Sequence, residues 1–219
     1  MRLLCITDIH GAREPFNDIL DREAANADVI ILGGDITNFG TPHDAEWFLE
    51  RAKQTNKPVL AVAGNCDSPQ IDRFLVETGV SVSGYGRVIG EVGFVGVSAA
   101  PIWHGTMYEF TEEEIGLLLR TAVDQVGNVA RCVVVSHAPP RDTNVDKVRS
   151  GAHVGSTAVR EFAEKNKPDL IVCGHIHEAR GTDRIENSIV VNCGPAYRGY
   201  YATAELTNPD GVKVELKAL

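Results

Sequence analysis

No stretch of this sequence approaches the ~20 consecutive apolar residues that an α-helix needs to cross a bilayer. Asp8 interrupts the apolar run that begins near Met1, so no secretory leader is expected there. No CxxC pair occurs, and the five cysteines (Cys5, Cys66, Cys132, Cys173 and Cys193) are odd in number and lack the spacing of a disulfide framework. Several sit inside apolar runs, where cysteine behaves as a small hydrophobe, and a reducing, cytoplasmic location is the expectation. Positive charge is scarce: 21 Lys and Arg face 30 Asp and Glu, for a formal net charge of -9. That argues against broad affinity for nucleic-acid phosphates. It leaves open a small phosphate-bearing substrate, because bound cations reverse the sign of a local field. No repeat, low-complexity tract or linker divides the chain, and one domain over residues 1–219 is expected.

What is present reads as alternation. Short apolar runs, Leu3–Thr7, Val29–Leu32, Val59–Ala63, Cys132–Ser136, Leu170–Cys173 and Ile189–Asn192, have the unbroken hydrophobicity of strands buried on both faces. Helix-like segments lie between them at Pro15–Ala25, Asp44–Lys53, Pro69–Thr78, Glu112–Val126 and Thr157–Lys165. Thr41-Pro42 and Ser68-Pro69 read as caps followed by proline at the first helical position. Glu112 to Glu114 suit the positive end of a helix dipole. The alternation predicts an α/β fold with a largely parallel core sheet. Ser83–Ser98 and the tail, Tyr200–Leu206 and Val212–Leu216 across Asn208-Pro209-Asp210-Gly211, read as hairpins. Both are expected in a second, more antiparallel sheet.

The chemistry lies where the strands end. Five successive runs are followed by Asp8-Ile9-His10, Gly34-Asp35, Gly64-Asn65-Cys66-Asp67, His137 and Gly174-His175-Ile176-His177. Ligands of open α/β sheets bind at that edge. A single strand-end histidine is more often structural than a ligand, and a lone Gly-Asp is usually a turn. Five strand ends carrying metal-type donors are not explained in that way. Asp8, His10, Asp35, Asn65, His137, His175 and His177 offer oxygen and nitrogen donors suited to a pair of divalent ions. Asp35 is the natural carboxylate to bridge them.

This ordered set resembles the calcineurin-like metallophosphoesterase superfamily, from Asp8 to the Gly194-Pro195-Ala196 turn. The resemblance implies two mixed β-sheets packed as a sandwich, flanked by α-helices, with a dinuclear centre at the strand ends. Asp8, His10 and His177 would hold one metal, Asn65, His137 and His175 the other, and Asp35 would bridge them. Water activated between the metals would attack phosphorus, with Asp35, Asn65 and His175 acting through the metals and Asp67 orienting a ligand or its loop. Two divalent cations are expected, manganese foremost, with Fe, Zn, Ni, Co and Mg also compatible with the donors.

Many members of the superfamily have histidine where this chain has Cys66, and there it assists the departing oxygen. A thiol is a poor substitute, which predicts a preference for phosphodiesters, or for monoesters with good leaving groups, over protein phosphomonoesters. Gly-Asn-Cys-Asp itself resembles a branch of small bacterial and archaeal phosphoesterases. The stretch Gly151–Ser156, in a loop expected over the site, resembles a motif of that branch in which His153 would contact substrate phosphate. Pro101–Phe110 concentrates Trp103, His104, Met107, Tyr108 and Phe110, which can line a pocket, join two copies in a homodimer or pack on the core. Core packing is the expectation for Trp103 and Phe110. Arg13 and Arg198 are expected to be solvated, and His43 to have no catalytic part. The competing readings are a phosphomonoesterase or nuclease on the same site, and a non-catalytic scaffold of the same fold. The intact donor set counts against the scaffold.

Overall fold

The computed structural model describes residues 1–207 and 211–219. Two mixed sheets form its centre. The first is built from β1 (Arg2–Ile6), β2 (Val29–Gly33) and β3 (Val59–Val62), all parallel, and its helices are α1 (Arg13–Glu23), α2 (Pro42–Lys53) and α3 (Pro69–Glu77). The second sheet begins with β4 (Arg87–Ile89) and β5 (Val92–Val97). A two-stranded excursion follows, β6 (Ala100–Pro101) with β7 (Glu109–Phe110), and then α4 (Glu112–Val126) and β8 (Arg131–Ser136). After α5 (Thr157–Asn166) come β9 (Leu170–Cys173), β10 (Gly181–Ile185) and β11 (Ser188–Asn192). The chain then returns to the first sheet as β12 (Tyr200–Thr207) and β13 (Gly211–Ala218). The sheet orders are β13-β12-β1-β2-β3 and β10-β11-β9-β8-β5-β4.

Period-two alternation makes this a sandwich. In β1, Leu3 and Cys5 face the second sheet, meeting Phe94, Val133, Val135 and Val172. Leu4 and Ile6 point the other way, into Phe16, Ile19, Phe48 and Leu75 of α1 to α3. On the far side of the second sheet, Val134 and Ile171 meet Leu119 of α4 and Phe162 of α5. Burying one such side chain contributes about 1.5–3 kcal/mol. Strands covered on both faces need no polar positions, which accounts for their continuous apolar runs.

The two hairpins do not share a sheet. β12 pairs antiparallel with β1, and β5 pairs parallel with β8, so each sheet joins parallel strands to antiparallel ones, at one edge of the first sheet and at both edges of the second. The division into one parallel and one antiparallel sheet is therefore corrected: each hairpin adds to whichever parallel set has a free edge. The expected turn at Asn208-Pro209-Asp210 lies outside the described residues, while Thr207 pairs with Gly211 beside it.

The helix caps follow the sequence. Thr41 and Asp44 form a capping box before α2, and the Ser68 side chain accepts from the Ile71 N–H of α3. Such caps contribute about 1 kcal/mol each. The acidic run at α4 divides its labour: Glu114 completes a capping box with Thr111, whereas Glu112 accepts from Ser156 Oγ and the N–H groups of Thr157 and Ala158 at the start of α5. Among the described residues, no helix is long and apolar enough to cross a membrane.

Candidate metal centre

The strand ends of both sheets meet at one place. Asp8 and Asp35 follow β1 and β2 of the first sheet, and Asn65 follows β3; His137 and His175 follow β8 and β9 of the second. The donors therefore lie not along the edge of one open sheet but at a junction of two. The sandwich brings two sets of carboxyl-terminal strand ends together, which one open sheet would not do.

Asp8 (0% exposed) and Asp35 (2%) are buried carboxylates, and among the described residues their ionic partners are histidines. His10 Nε2 and His177 Nε2 lie 3.3 Å apart, with His177 Nε2 3.3 Å from Asp8 Oδ1 and His10 Nε2 3.5 Å from Asp35 Oδ2. Donor atoms of Asp8, His10, Asp35 and His177 all fall within 4.8 Å of one another, close enough to hold one ion. The other Asp35 oxygen, Oδ1, lies 3.5 Å from His137 Nε2, which is 2.9 Å from Asn65 Oδ1. His137 Nδ1 meets the Gly33 carbonyl at 3.0 Å, which turns Nε2 toward the oxygen donors. The His175 ring is 5.1 Å from that of His137. Asp35 thus stands between two donor groups, one oxygen toward each.

This donor set fits divalent cations. Buried carboxylates whose basic partners, among the described residues, are histidines alone leave negative charge for a cation to balance. Burial opposes a charge on His137, but Asp35 and Asp8 outweigh it and raise the imidazole to about 9. The cavity favours positive charge at that position.

The backbone is bent to serve this arrangement. Asp8, His10, Asp35 and His175 have φ of 54°, 48°, 49° and 66°. Left-handed conformations cost on the order of 1–2 kcal/mol for L-residues and persist where surrounding structure imposes them. Here the Asp8 N–H donates to Gly34 O, that of His10 to Asp35 O, and that of His175 to the Asp8 carboxylate. Gly64 and Gly174 leave room: a Cβ on either would meet a carboxylate oxygen, of Asp35 or Asp8, at 2.2 Å.

Asp67 sits beneath the centre, 4% exposed, and accepts from the N–H groups of Ile36, Thr37 and Gly64 and from Thr37 Oγ1. It therefore ties the loop of Asp35 to the loop of Asn65. Burial and the nearby Asp35 push its carboxyl up to about 6, against the pull of these donors. Asp67→Ala would orphan four donors at once. The expected cost is about 3 kcal/mol, a fall in Tm of roughly 6–12 °C, measured by calorimetry on metal-stripped protein. A change below about 2 °C would show that Asp67 does not organise these loops.

Cys66 is 8% exposed; its N–H donates to Asp35 Oδ1 at 2.7 Å. Burial first, and Asp35 second, push the thiol well above its ordinary value, which makes it a poor redox target. His153 is not in the cluster. Its Nδ1 is 2.6 Å from the buried Asp146, and it lines a neighbouring cavity with Trp103 and Arg141. Trp103 corrects the expectation of core packing: it is 63% exposed, because the carboxylate of Glu109 holds the 103–105 backbone out from the body of the protein. Phe110 does pack against the α4 and α5 core. Arg13 is exposed over the Trp47 ring, Arg198 is exposed over Tyr197, and His43 is exposed beside Glu46.

Two residues at the site had not been singled out from the sequence. Tyr197, just beyond the Gly194-Pro195-Ala196 turn, meets the rings of both His10 and His177 and lines a 460 Å³ opening with them. Asn192 donates to the carbonyls of Gly174 and Ile176, fixing the loop that carries His175 and His177. A polar residue closing an apolar strand was the available signal for Asn192.

Two mixed sheets with buried carboxylates and imidazoles at their junction define a metal-binding hydrolase architecture of the metallophosphoesterase class. The match to known sequences agrees: the chain belongs to the family described as calcineurin-like phosphoesterase, which matches residues 1–179. It is 34% identical over 214 residues to the uncharacterized protein MJ1162 of Methanocaldococcus jannaschii, covering 93% of this chain and 92% of that one. The protein TT1561 of Thermus thermophilus shares the fold, with a TM-score of 0.76 at 16% identity over 99% of this chain and 98% of that one. A further crystal structure superposes with a TM-score of 0.82 at 17% identity, over the same shares of the two chains. Family and site together define a metal-dependent phosphoesterase.

Proposed function

We propose that the chain hydrolyses small phosphodiesters at a pair of divalent cations, manganese foremost. The observation that carries this reading is Asp35, whose two oxygens face separate donor groups, His10 on one side and His137 on the other. Asp8, His10 and His177 would hold one cation, and Asn65, His137 and His175 the other, with Asp35 shared. When bound, such a pair supplies the Lewis acidity that acidifies water and neutralises charge on phosphoryl oxygens. The chain's own part is placement. Asp67 and Asn192 hold the loops, the Gly33 carbonyl sets the His137 ring, and the two buried carboxylates fix where positive charge collects.

The preference for diesters follows from Cys66. A thiol is a weak hydrogen-bond donor, and no imidazole at this position can hand a proton to a departing alkoxide. Esters with a second esterified oxygen or an acidic leaving alcohol depend on that proton least. Cys66→His is expected to raise hydrolysis of glycerol 2-phosphate, a monoester whose departing alkoxide needs a proton, relative to bis-p-nitrophenyl phosphate by about 10²-fold or more, the lower part of what general-acid catalysis supplies. An unchanged ratio removes this account of the preference. The reading as a whole is tested by hydrolysis of both esters after metal stripping and add-back. Failure on both with every plausible metal would favour the non-catalytic scaffold.

A further inference from the structure

Beside the candidate centre lies a second, different cavity. It has a volume of about 280 Å³ and reaches the site at Asn65 and His175. Its walls are otherwise mainly apolar: Trp103 and Met107 from the β6–β7 excursion, Val148 and Val154 from the loop after β8, and Ile176. It shares no lining residue with the 460 Å³ opening at His10, His177 and Tyr197. We propose that this cavity receives the organic group of the ester, an uncharged flat ring of the aryl or heteroaryl kind. The proposal rests on the phosphodiesterase reading and adds the substrate class to it.

Three observations carry it. The first is continuity: a phosphoryl group placed between Asn65 and His175 sits at the mouth of this cavity, so a substituent on it has an apolar space to enter. The second is exposure. Trp103 is 63% exposed and Met107 38%, although large apolar side chains are ordinarily buried. Both sit on one short excursion, facing the site. An indole and a thioether are the side chains best suited to the face and edge of a ring.

The third is that the wall is built in advance. The Glu109 carboxylate accepts from the N–H groups of Trp103, His104 and Gly105, at 3.2, 3.4 and 2.6 Å. The Tyr108 N–H donates to the Asn65 carbonyl, and its hydroxyl donates to Asp72. The backbone that presents Trp103 is therefore tied to Asn65 through Glu109 and its neighbour Tyr108, and little backbone ordering is left for the ligand to impose. The charge around the cavity narrows the occupant further. Among the described residues no lysine or arginine lines it, Glu109 is its one carboxylate, and its imidazoles are His104 and His175. A second phosphate or a carboxylate on the organic group would enter beside Glu109 with no lysine or arginine to pair it, at a desolvation cost, which disfavours nucleic-acid strands and phosphorylated sugars.

The test uses two ligands that share a singly charged phosphodiester and differ only in its flanks, diphenyl phosphate and dimethyl phosphate. They are titrated into the full chain, with and without zinc, a diamagnetic cation that the donor set also suits, while the two tryptophan indole N–H resonances, of Trp47 and Trp103, are followed by NMR. Diphenyl phosphate is expected to shift the Trp103 resonance and to bind at least about ten-fold more tightly, since even one methylene in an apolar pocket discriminates by about ten-fold or more. In Trp103→Ala the two affinities are expected to converge to within about two-fold. This variant alters an exposed side chain and leaves the core intact.

Equal affinities in the wild type, or an unmoved Trp103 resonance, would overturn the proposal. So would selectivity that survives Trp103→Ala while that change converts a dimer to a monomer, which would make Trp103 an interface residue. Trp103-dependent binding of diphenyl phosphate, without turnover of bis-p-nitrophenyl phosphate under any metal, would sink the hydrolase reading and leave the cavity as a ring-binding site alone. Turnover with no preference between the two ligands would do the reverse.

Discussion

Asp35→Asn is expected to lower metal-dependent hydrolysis of bis-p-nitrophenyl phosphate by about three orders of magnitude or more. Residues that merely orient metal ligands are typically worth about 10–100-fold in affinity or activity, and Asp35 is proposed to be a ligand shared by both cations. Asparagine keeps the shape and one oxygen but removes the negative charge, so the variant can still fold around Gly64 while offering half the donor capacity. The consequence is legible without turnover. A cation that binds only the folded protein stabilises it by RT ln(1 + [L]/Kd), about 2.7 kcal/mol at a hundredfold excess over Kd. Manganese is therefore expected to raise the Tm of the wild type by roughly 5–10 °C and that of Asp35→Asn by far less. Elemental analysis should find the variant depleted in metal after gel filtration. Retained metal and retained activity would place the shared ligand elsewhere and undo the dinuclear reading.

The parts of this molecule that could be read from sequence are those in which local chemistry and tertiary structure ask for the same thing. Strands buried on both faces have no reason to alternate, and Val29–Leu32 and Leu170–Cys173 lie within β2 and β9. Thr41-Pro42 and Ser68-Pro69 mark helix starts because their side chains satisfy backbone donors within a few residues. The candidate donors stand out for a related reason: all lie within a few residues of the end of an apolar strand. What could not be read depends on which edge a strand finds. Nothing local in Tyr200–Leu206 records that it will pair with β1, or in Val92–Val97 that it will pair with β8. The assignment of both hairpins to one sheet failed for that reason. Trp103 failed differently. An indole favours burial, and only the three N–H donors gathered by Glu109 show why its backbone is held outward. Tyr197 lies outside any strand end, in a short turn that returns to the site because Thr7 bridges Pro195.

Gly64→Ala separates position from charge, and its expected effect is the next largest after that of Asp35→Asn. A Cβ at residue 64 would lie 2.2 Å from Asp35 Oδ1 and 2.3 Å from the Asp35 backbone nitrogen. The second contact decides the outcome, because a carboxylate can rotate away whereas the backbone N of a residue with φ of 49° cannot move without its loop. The loop is held by Asp67, through Ile36, Thr37 and Gly64, so displacement strains the same hydrogen bonds that fix Asn65. Overpacking of this kind costs about 1–3 kcal/mol. A shift of about 1 Å at a positioned catalytic group costs about 10²-fold in rate. The variant is therefore expected to fold with a lowered Tm, to bind manganese at least about ten-fold more weakly, and to lose about 10²-fold in hydrolysis although every proposed ligand is present. Gly79→Ala is the control. That glycine has φ of +75° and open space around it, so alanine there strains the backbone without touching the site. It should lose stability and keep its metal. If Gly64→Ala behaves like Gly79→Ala, the close approach of the two loops is incidental. If it loses metal while keeping all seven donors, the centre depends on where the sandwich sets Asp35 as much as on its charge.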